Sequence, residues 1–454
     1  MIIVPYIKYY STNHKSEEVS FREALLKGLA PDGGLYMPSS FPTLNSEEME
    51  RMPEQEYSDI AFTVLEKIIG NDIGKEDLKS ICNDAYDFEV PLENVTGRMN
   101  ILRLDRGPTA SFKDFAARMM SRLMHYYISR DNHRLTILTA TSGDTGSAVA
   151  NAFYGLSNIN VVILFPLDEV SLIQRKQMTT LGKNITVIGI DCKFDDCQQL
   201  VKTAFRDPLL NHLPLSSANS INTGRLLPQS VYYFFAWSRL GKGIHDKVIF
   251  SVPSGNFGNL MGGLIAKKMG LPVKRLVIST NANNEVPQFL KTGVYRSINP
   301  SINCISSAMN VGHPSNLSRI VALYNGIMNE KGEIIRQPDL LRMREDLAGI
   351  SVSDEDTKKT IEETYSRYRI VLEPHGAVAW RGLEEYLKLH KEEAGNLSVS
   401  LETAHPAKFP DEIKQIIGTD PVLPESLSGI TDKEESYLTL ENNYEKLRDL
   451  LKNY

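Results

Sequence analysis

The stretch Leu135-Thr136-Ile137-Leu138-Thr139-Ala140 runs directly into Thr141-Ser142-Gly143-Asp144-Thr145-Gly146 and then into the small-residue run Ser147–Ala152. A short apolar run, a Gly/Ser/Thr turn and a helix-compatible segment read as strand, turn and helix. Outward from it the pattern recurs. Asn100–Leu104, Val161–Phe165 and Ile185–Ile190 read as strands; Phe115–Ser129, Gly146–Tyr154, Leu172–Leu181 and Asp195–Phe205 read as helices. Continuous apolar strands alternating with helices imply a parallel sheet covered on both faces, an α/β fold.

The alternation continues downstream. Pro228–Leu240 and Gly258–Met269 read as helices, Lys247–Val252 and Leu276–Thr280 as strands. A charged helical stretch follows over Asp339–Arg367, then a short strand at Ile370–Leu372, a helix at Ala377–Leu389 and a strand at Ser398–Leu401. Upstream, Ser16 with Glu17 and Glu18 reads as a helix start, Pro31–Gly34 as a turn, and Asp59–Ile69 and Lys75–Tyr86 as helices. The expected division is a mainly helical segment over 1–95, a βα lobe over 96–227, a second βα lobe over 228–420 and a charged helical tail over 421–454. Two βα lobes leave a cleft between them, where ligands favour binding.

Composition narrows the function. The chain has 454 residues, 42% apolar and 23% charged, with a net charge of -6 and no long run of one sign. This disfavours a general nucleic-acid binder. No apolar run approaches the roughly 18 residues of a membrane span, and Met1–Tyr10 has no basic region or cleavage-like site. Cys82, Cys192, Cys197 and Cys304 form no Cys-x-x-Cys pair, so neither a zinc site nor a disulfide framework is expected. The expectation is a cytoplasmic protein without metal.

The chemistry concentrates at three places. Lys113, in Ser111-Phe112-Lys113-Asp114, would alone be an ordinary surface lysine, but Ser111 reads as a helix cap and Phe112 and Phe115 as shields against water. Desolvation frees a lysine's lone pair, and such an amine can form a Schiff base with an aldehyde cofactor. Thr141–Gly146 reads either as an anion cradle or as a capped βα turn. Ser254-Gly255-Asn256-Phe257-Gly258-Asn259 also opens a helix; it is neither a Walker loop nor a complete Gly-x-Gly-x-x-Gly fingerprint, which favours phosphate binding over nucleotide binding. One nucleophilic amine with two anion-binding turns suits an enzyme holding pyridoxal phosphate and an anionic amino acid. His375 and His405 lie in turns and read as structural. Arg225 reads as an anion clamp or a surface ion-pair partner.

Together these segments resemble the threonine synthases, of the fold-type II pyridoxal-phosphate enzymes. The resemblance rests on ordered motifs across most of the chain: Gly33–Pro38, Ser111–Asp114, Thr141–Gly146, Asn219–Asn222, Ser254–Asn259, Ser307–Asn316 and Glu402–Phe409. The length and N-terminal segment look like the longer, microbial-type branch. The resemblance implies a two-lobed fold and a pyridoxal-phosphate-dependent carbon–oxygen lyase that makes L-threonine from O-phospho-L-homoserine and water. It implies that Lys113 carries the cofactor. It implies that Gly255, Asn256, Phe257, Gly258 and Asn259 hold the cofactor phosphate, that Thr403 faces the ring nitrogen, and that Asp144 lies by the ring hydroxyl. Thr141, Ser142, Gly143 and Thr145 would hold the substrate carboxylate, and Arg225, with Lys176 and Ser142, the leaving phosphate. Asn310 and His313 stand where the family more often has Asp and Asn. That departure keeps open a phospho-lyase that releases keto acid, ammonia and phosphate; a further alternative is an inactive pyridoxal-phosphate-binding protein. The expected partner is a small-molecule substrate, with no nucleic acid or membrane, in a monomer or homodimer.

Overall fold

The computed structural model describes residues 7–454; of the N-terminal segment read above, residues 1–6 lie outside it. Fifteen strands follow in chain order: β1 (Tyr9–Ser11), β2 (Tyr36–Pro38), β3 (Leu92–Thr96), β4 (Met99–Arg103), β5 (Leu135–Ala140), β6 (Ile159–Pro166), β7 (Ile185–Ile190), β8 (Leu215–Ser216), β9 (Val248–Pro253), β10 (Val273–Thr280), β11 (Ile327–Met328), β12 (Ile334–Arg336), β13 (Leu347–Ser351), β14 (Leu397–Glu402) and β15 (Leu438–Leu440). Among the described residues β1 pairs with β2 and β11 with β12 in small antiparallel sheets, and the other eleven strands form two large sheets. One has the order β15-β7-β6-β5-β8, and all its pairings are parallel. The other runs β13-β10-β9-β14-β4-β3, parallel except for the β3–β4 edge. Every residue of β5, β9 and β14 is buried. Helices cover both faces, which is why these strands read as unbroken apolar runs.

Sheet membership does not follow the linear division. β4, expected with the first lobe, pairs with β14 in the six-stranded sheet. β15, inside the expected helical tail, pairs with β7 in the five-stranded sheet. That tail forms an α-helix over Tyr444–Leu451 alone, after short 3-10 turns at Glu425–Leu427 and Ile430–Asp432, and packs its Leu447 and Leu451 against Leu200 and Val201. Strand partners are chosen by non-local pairing, to which periodicity is blind.

Other departures are local. The charged stretch at 339–367 is two helices, Leu340–Asp346 and Asp354–Tyr368, separated by β13. No strand forms at 370–372. The first helix, Phe21–Lys27, starts at Ser20, whose hydroxyl accepts from Glu23 N–H while the Glu23 carboxylate accepts from Ser20 N–H. Ser16 instead accepts from Asp32 N–H, bracing the turn before Gly34. No helix among the described residues is long and apolar enough to cross a membrane.

Candidate active site

The C-terminal ends of strands from both sheets open onto one cavity of about 700 Å³. β5 delivers residues 141–146, β9 delivers residues 254–259 and β14 delivers Thr403. This is the position that parallel sheets favour for ligands, because the βα turns converge there.

Lys113 begins the helix Lys113–Asp131. Its segment is stitched to the end of β14: Phe112 N–H donates to Thr403 O at 2.8 Å and His405 N–H to Ala110 O at 3.0 Å. Ala110 takes a positive φ of 54° to make this turn. Lys113 and Thr403, far apart in sequence, therefore reach the cavity together. Ser111 is not the helix cap: Phe112 occupies that position without a side-chain cap bond, and the Ser111 hydroxyl is buried without a partner among the described residues. Phe112 does shield the amine, its ring centroid 4.9 Å from Lys113 Nζ. Phe115 turns away into an aromatic cluster with Tyr57, Tyr86 and Phe88.

The Lys113 side chain is 15% exposed, and its Nζ lies 3.5 Å from Asp144 Oδ2. Burial lowers its pKa; Asp144 opposes this, while Lys408 and Arg225 reinforce it. Asp144 is buried, which raises its pKa, but Lys408 and then Lys113 outweigh burial and hold the carboxyl far below the usual range. Lys408 Nζ sits 2.6 Å from Asp144 Oδ1, and Gln174 Nε2 donates to the same oxygen at 2.9 Å. Lys408 and Gln174 escaped the sequence reading. Lys408 lies within a motif already quoted, but a lysine gives no sequence signal of being fully buried.

The first turn divides its labour. Ser142, Asp144 and Thr145 line the cavity, while Thr141 and Gly143 do not. Thr141 is consumed in building the turn, its hydroxyl accepting from Gly143 N–H at 2.9 Å and Gly146 N–H at 2.7 Å. Gly143 has φ +127°, and a Cβ there would strike the Gln174 side chain. Its role in the turn is conformational. Lys176 is absent from the cavity wall. Its ammonium is bound by Thr431 O at 2.6 Å and Lys433 O at 2.7 Å on the C-terminal segment. That position does not fit the expectation that it holds substrate; along its helix, it is Gln174 that reaches the site, through its bond to Asp144.

The second turn is packed for close approach. A Cβ on Gly255 would lie 2.7 Å from Ala308 O and 2.9 Å from Met309 Cα. Phe257 is held at φ 61° as it opens the helix Gly258–Lys268. Asn256 O accepts from Asn316 Nδ2 at 2.9 Å. Asn259 Oδ1 accepts from the hydroxyls of Tyr232 at 2.6 Å and Tyr233 at 2.8 Å, which leaves its buried Nδ2 without a partner among the described residues. Arg225 is 4% exposed and also lines the cavity. Its Nη1 donates to Ala218 O at 2.7 Å, and its Nε has no partner among the described residues. Burial lowers its pKa to about 10, against the pull of Asp114. A buried guanidinium on a cavity wall suits an anionic ligand.

Behind Thr403 lies an acid network. The Thr403 hydroxyl donates to Glu373 Oε1 at 3.2 Å. Glu373 also accepts from Gly376 N–H at 2.9 Å and pairs with His375 Nδ1. His375 Nε2 then accepts from Ala308 N–H at 3.0 Å, so these partners define its neutral tautomer. His405 stays off the cavity; burial, then Arg106 and Arg103, lower its pKa to about 4, and its Nδ1 accepts from Ala407 N–H. His313 lines the cavity with Nδ1 2.7 Å from the Tyr295 hydroxyl.

Comparison with known proteins agrees with this geometry. The family described as "Threonine synthase N terminus" matches residues 8–86, "Pyridoxal-phosphate dependent enzyme" matches 91–401, and "Threonine synthase, C-terminal" matches 376–451. A threonine synthase of Haemophilus influenzae is 41% identical over 446 residues, covering 97% of this chain and 99% of its own. That of Escherichia coli is 39% identical, covering 99% and 100%. The crystal structure of a PLP-bound threonine synthase from Brucella melitensis superimposes with a TM-score of 0.91 at 35% identity, covering 98% of this chain and 99% of its own. Two βα lobes, full-length coverage and three family matches in chain order lead to one conclusion: this chain belongs to the threonine synthase family of fold-type II pyridoxal-phosphate-dependent enzymes.

Proposed function

We propose that this chain converts O-phospho-L-homoserine and water into L-threonine and phosphate. The observation that carries the proposal is the meeting of a buried, charge-perturbed lysine with two anion-suited turns and a buried arginine on one cavity. The residues present fit pyridoxal phosphate. The glycine turn at 255–259 suits its phosphate, Thr403 its ring nitrogen, Asp144 its ring hydroxyl and Lys113 its aldehyde. When bound, the cofactor supplies a conjugated electron sink that acidifies substrate protons near the amine.

The chain's own residues do the remaining work. Lys113 would be the base beside the reacting carbon, removing the Cα proton and moving protons at Cβ. The Cγ–O bond then breaks, its electron pair leaving on phosphate. Arg225, with Ser142 on the facing turn, offers donors where that charge develops. Thr145 and Ser142 supply hydroxyls toward the substrate carboxylate, in a turn whose shape Thr141 and Gly143 set. Cγ then takes up a proton to become the methyl group, water adds its hydroxyl at Cβ and gives its other proton to the departed phosphate, and Cα is reprotonated, which completes threonine.

The test is to incubate the holoenzyme with O-phospho-L-homoserine and assay phosphate, threonine and keto acid together. Equal threonine and phosphate are expected; keto acid and ammonia without threonine would establish the phospho-lyase reading instead. Borohydride reduction with peptide mapping should place the cofactor adduct on Lys113, and Lys113→Ala should abolish both adduct and turnover.

A further inference from the structure

Asp144 stands between two lysines, and the buried one is nearer. Lys408 Nζ is 2.6 Å from Asp144 Oδ1, whereas Lys113 Nζ is 3.5 Å from Oδ2. Lys408 is 0% exposed. It follows β14 in the six-stranded lobe yet reaches a carboxylate that follows β5 in the five-stranded lobe. Its second bond goes to Thr109 O at 2.9 Å. Gln177 Nε2 donates to that same carbonyl at 3.1 Å. Thr109 in turn gives its N–H and hydroxyl to Asp114 at 2.8 and 2.6 Å. With Gln174 on Oδ1 as well, one oxygen of Asp144 is engaged by two donors and only the other faces Lys113.

A lone carboxylate at this distance would favour the charged form of Lys113. A base must be neutral at the moment it takes a proton. The charges facing the pair are few: Asp144, Lys408 and Arg225 act on Lys113, while Lys408 and Lys113 act on Asp144. Asp114 faces Lys408 from the helix start, with Arg118 beyond it. One negative charge is therefore shared by two lysines, and the closer contact takes the larger part.

We propose that Lys408 is a positioning residue for the reaction: it holds Asp144 as a fixed, already compensated carboxylate, so that Asp144 orients Lys113 without locking it as an ammonium ion. This rests on Lys113 being the reactive amine. A buried cation bridging the two lobes through a single carboxylate also makes Lys408 part of the wall that joins them. A purely structural staple would contribute stability but would leave the protonation of Lys113 unchanged.

The experiment compares holoenzymes of the parent, Lys408→Arg, Lys408→Met and Asp144→Asn/Lys408→Met. The visible absorbance is titrated against pH, and borohydride mapping locates the adduct in each. The midpoint is expected to rise by roughly one pH unit or more in Lys408→Met, because Asp144 is left with Lys113 as its nearest cation. Lys408→Arg should stay near the parent. The double variant should fall back towards or below it, since the carboxylate has gone too. Should Lys408→Met not yield holoenzyme, Lys408→Gln keeps a donor to Asp144 without the charge and carries the same expectation. An adduct on Lys113 with an unmoved midpoint overturns the role of Lys408, as does a double variant that shifts as far as the single one. An adduct elsewhere in the parent overturns the Lys113 assignment itself.

Discussion

Replacing Arg225 by methionine should separate stability from function, because the two are expected to move in opposite directions. A free arginine loses its proton near about 12.5; here burial brings that down to about 10. A depressed cationic pKa means that the fold binds the proton less tightly than the unfolded chain. The penalty is therefore present at all pH below about 10 and fades between about 10 and 12.5. At about 1.4 kcal/mol per pH unit, the buried guanidinium costs the fold about 3 kcal/mol at neutral pH. Methionine keeps much of the stem's packing but loses the bond from Nη1 to Ala218 O, worth about 1.5–3 kcal/mol for a charged donor. The balance is a Tm, measured without substrate, that is unchanged or a few degrees higher. With substrate the sign reverses. Loss of a charge-assisted contact to the departing phosphate, about 1.5–3 kcal/mol, lowers kcat/KM by roughly 10- to 150-fold. Thermal denaturation and steady-state kinetics on the same preparation read both effects. A Tm several degrees lower together with an unchanged kcat/KM would refute the reasoning, because Arg225 would then be a structural tie.

Three further outcomes are expected. Gly255→Ala forces a methyl against the backbone of Ala308 and Met309; backbone yields poorly, so overpacking of about 1–3 kcal/mol should appear as weaker cofactor binding in an absorbance titration. Asp105 is buried, and burial raises its carboxyl pKa to about 6 against Arg103 and Arg106. A raised acid binds its proton more tightly in the fold, so stability should fall as pH rises from about 4 to about 6 and stay reduced above that. Asp105→Asn should flatten this window and raise thermal stability at about pH 8, by up to about 3 kcal/mol. Arg319, 0% exposed, donates to the carbonyls of Tyr36 at 3.2 Å, Ser220 at 2.9 Å and Ile221 at 2.6 Å, and to Asn316 Oδ1 at 2.6 Å. Unlike Arg225→Met, Arg319→Met should lower Tm by several degrees, because it leaves these buried acceptors unpaired.

Local chemistry was legible in the sequence because it is written in contiguous residues. β5 and β7 have the bounds read from their apolar runs, and the turns at 141–146 and 254–259 sit where strand gives way to helix. Lys113 was singled out by its motif and by the resemblance, and it lines the cavity. What the chain order concealed is everything settled by approach from elsewhere. β4 joined the other lobe because β14 offered it a parallel edge, and β15 came back from the C-terminal segment to pair with β7. Lys176 and Lys408 look alike as letters, yet one ammonium is spent on the carbonyls of Thr431 and Lys433 while the other is sealed against Asp144. Burial and the neighbouring charges decide whether a lysine is a tether, a counter-ion or a base, and both are properties of packing in three dimensions.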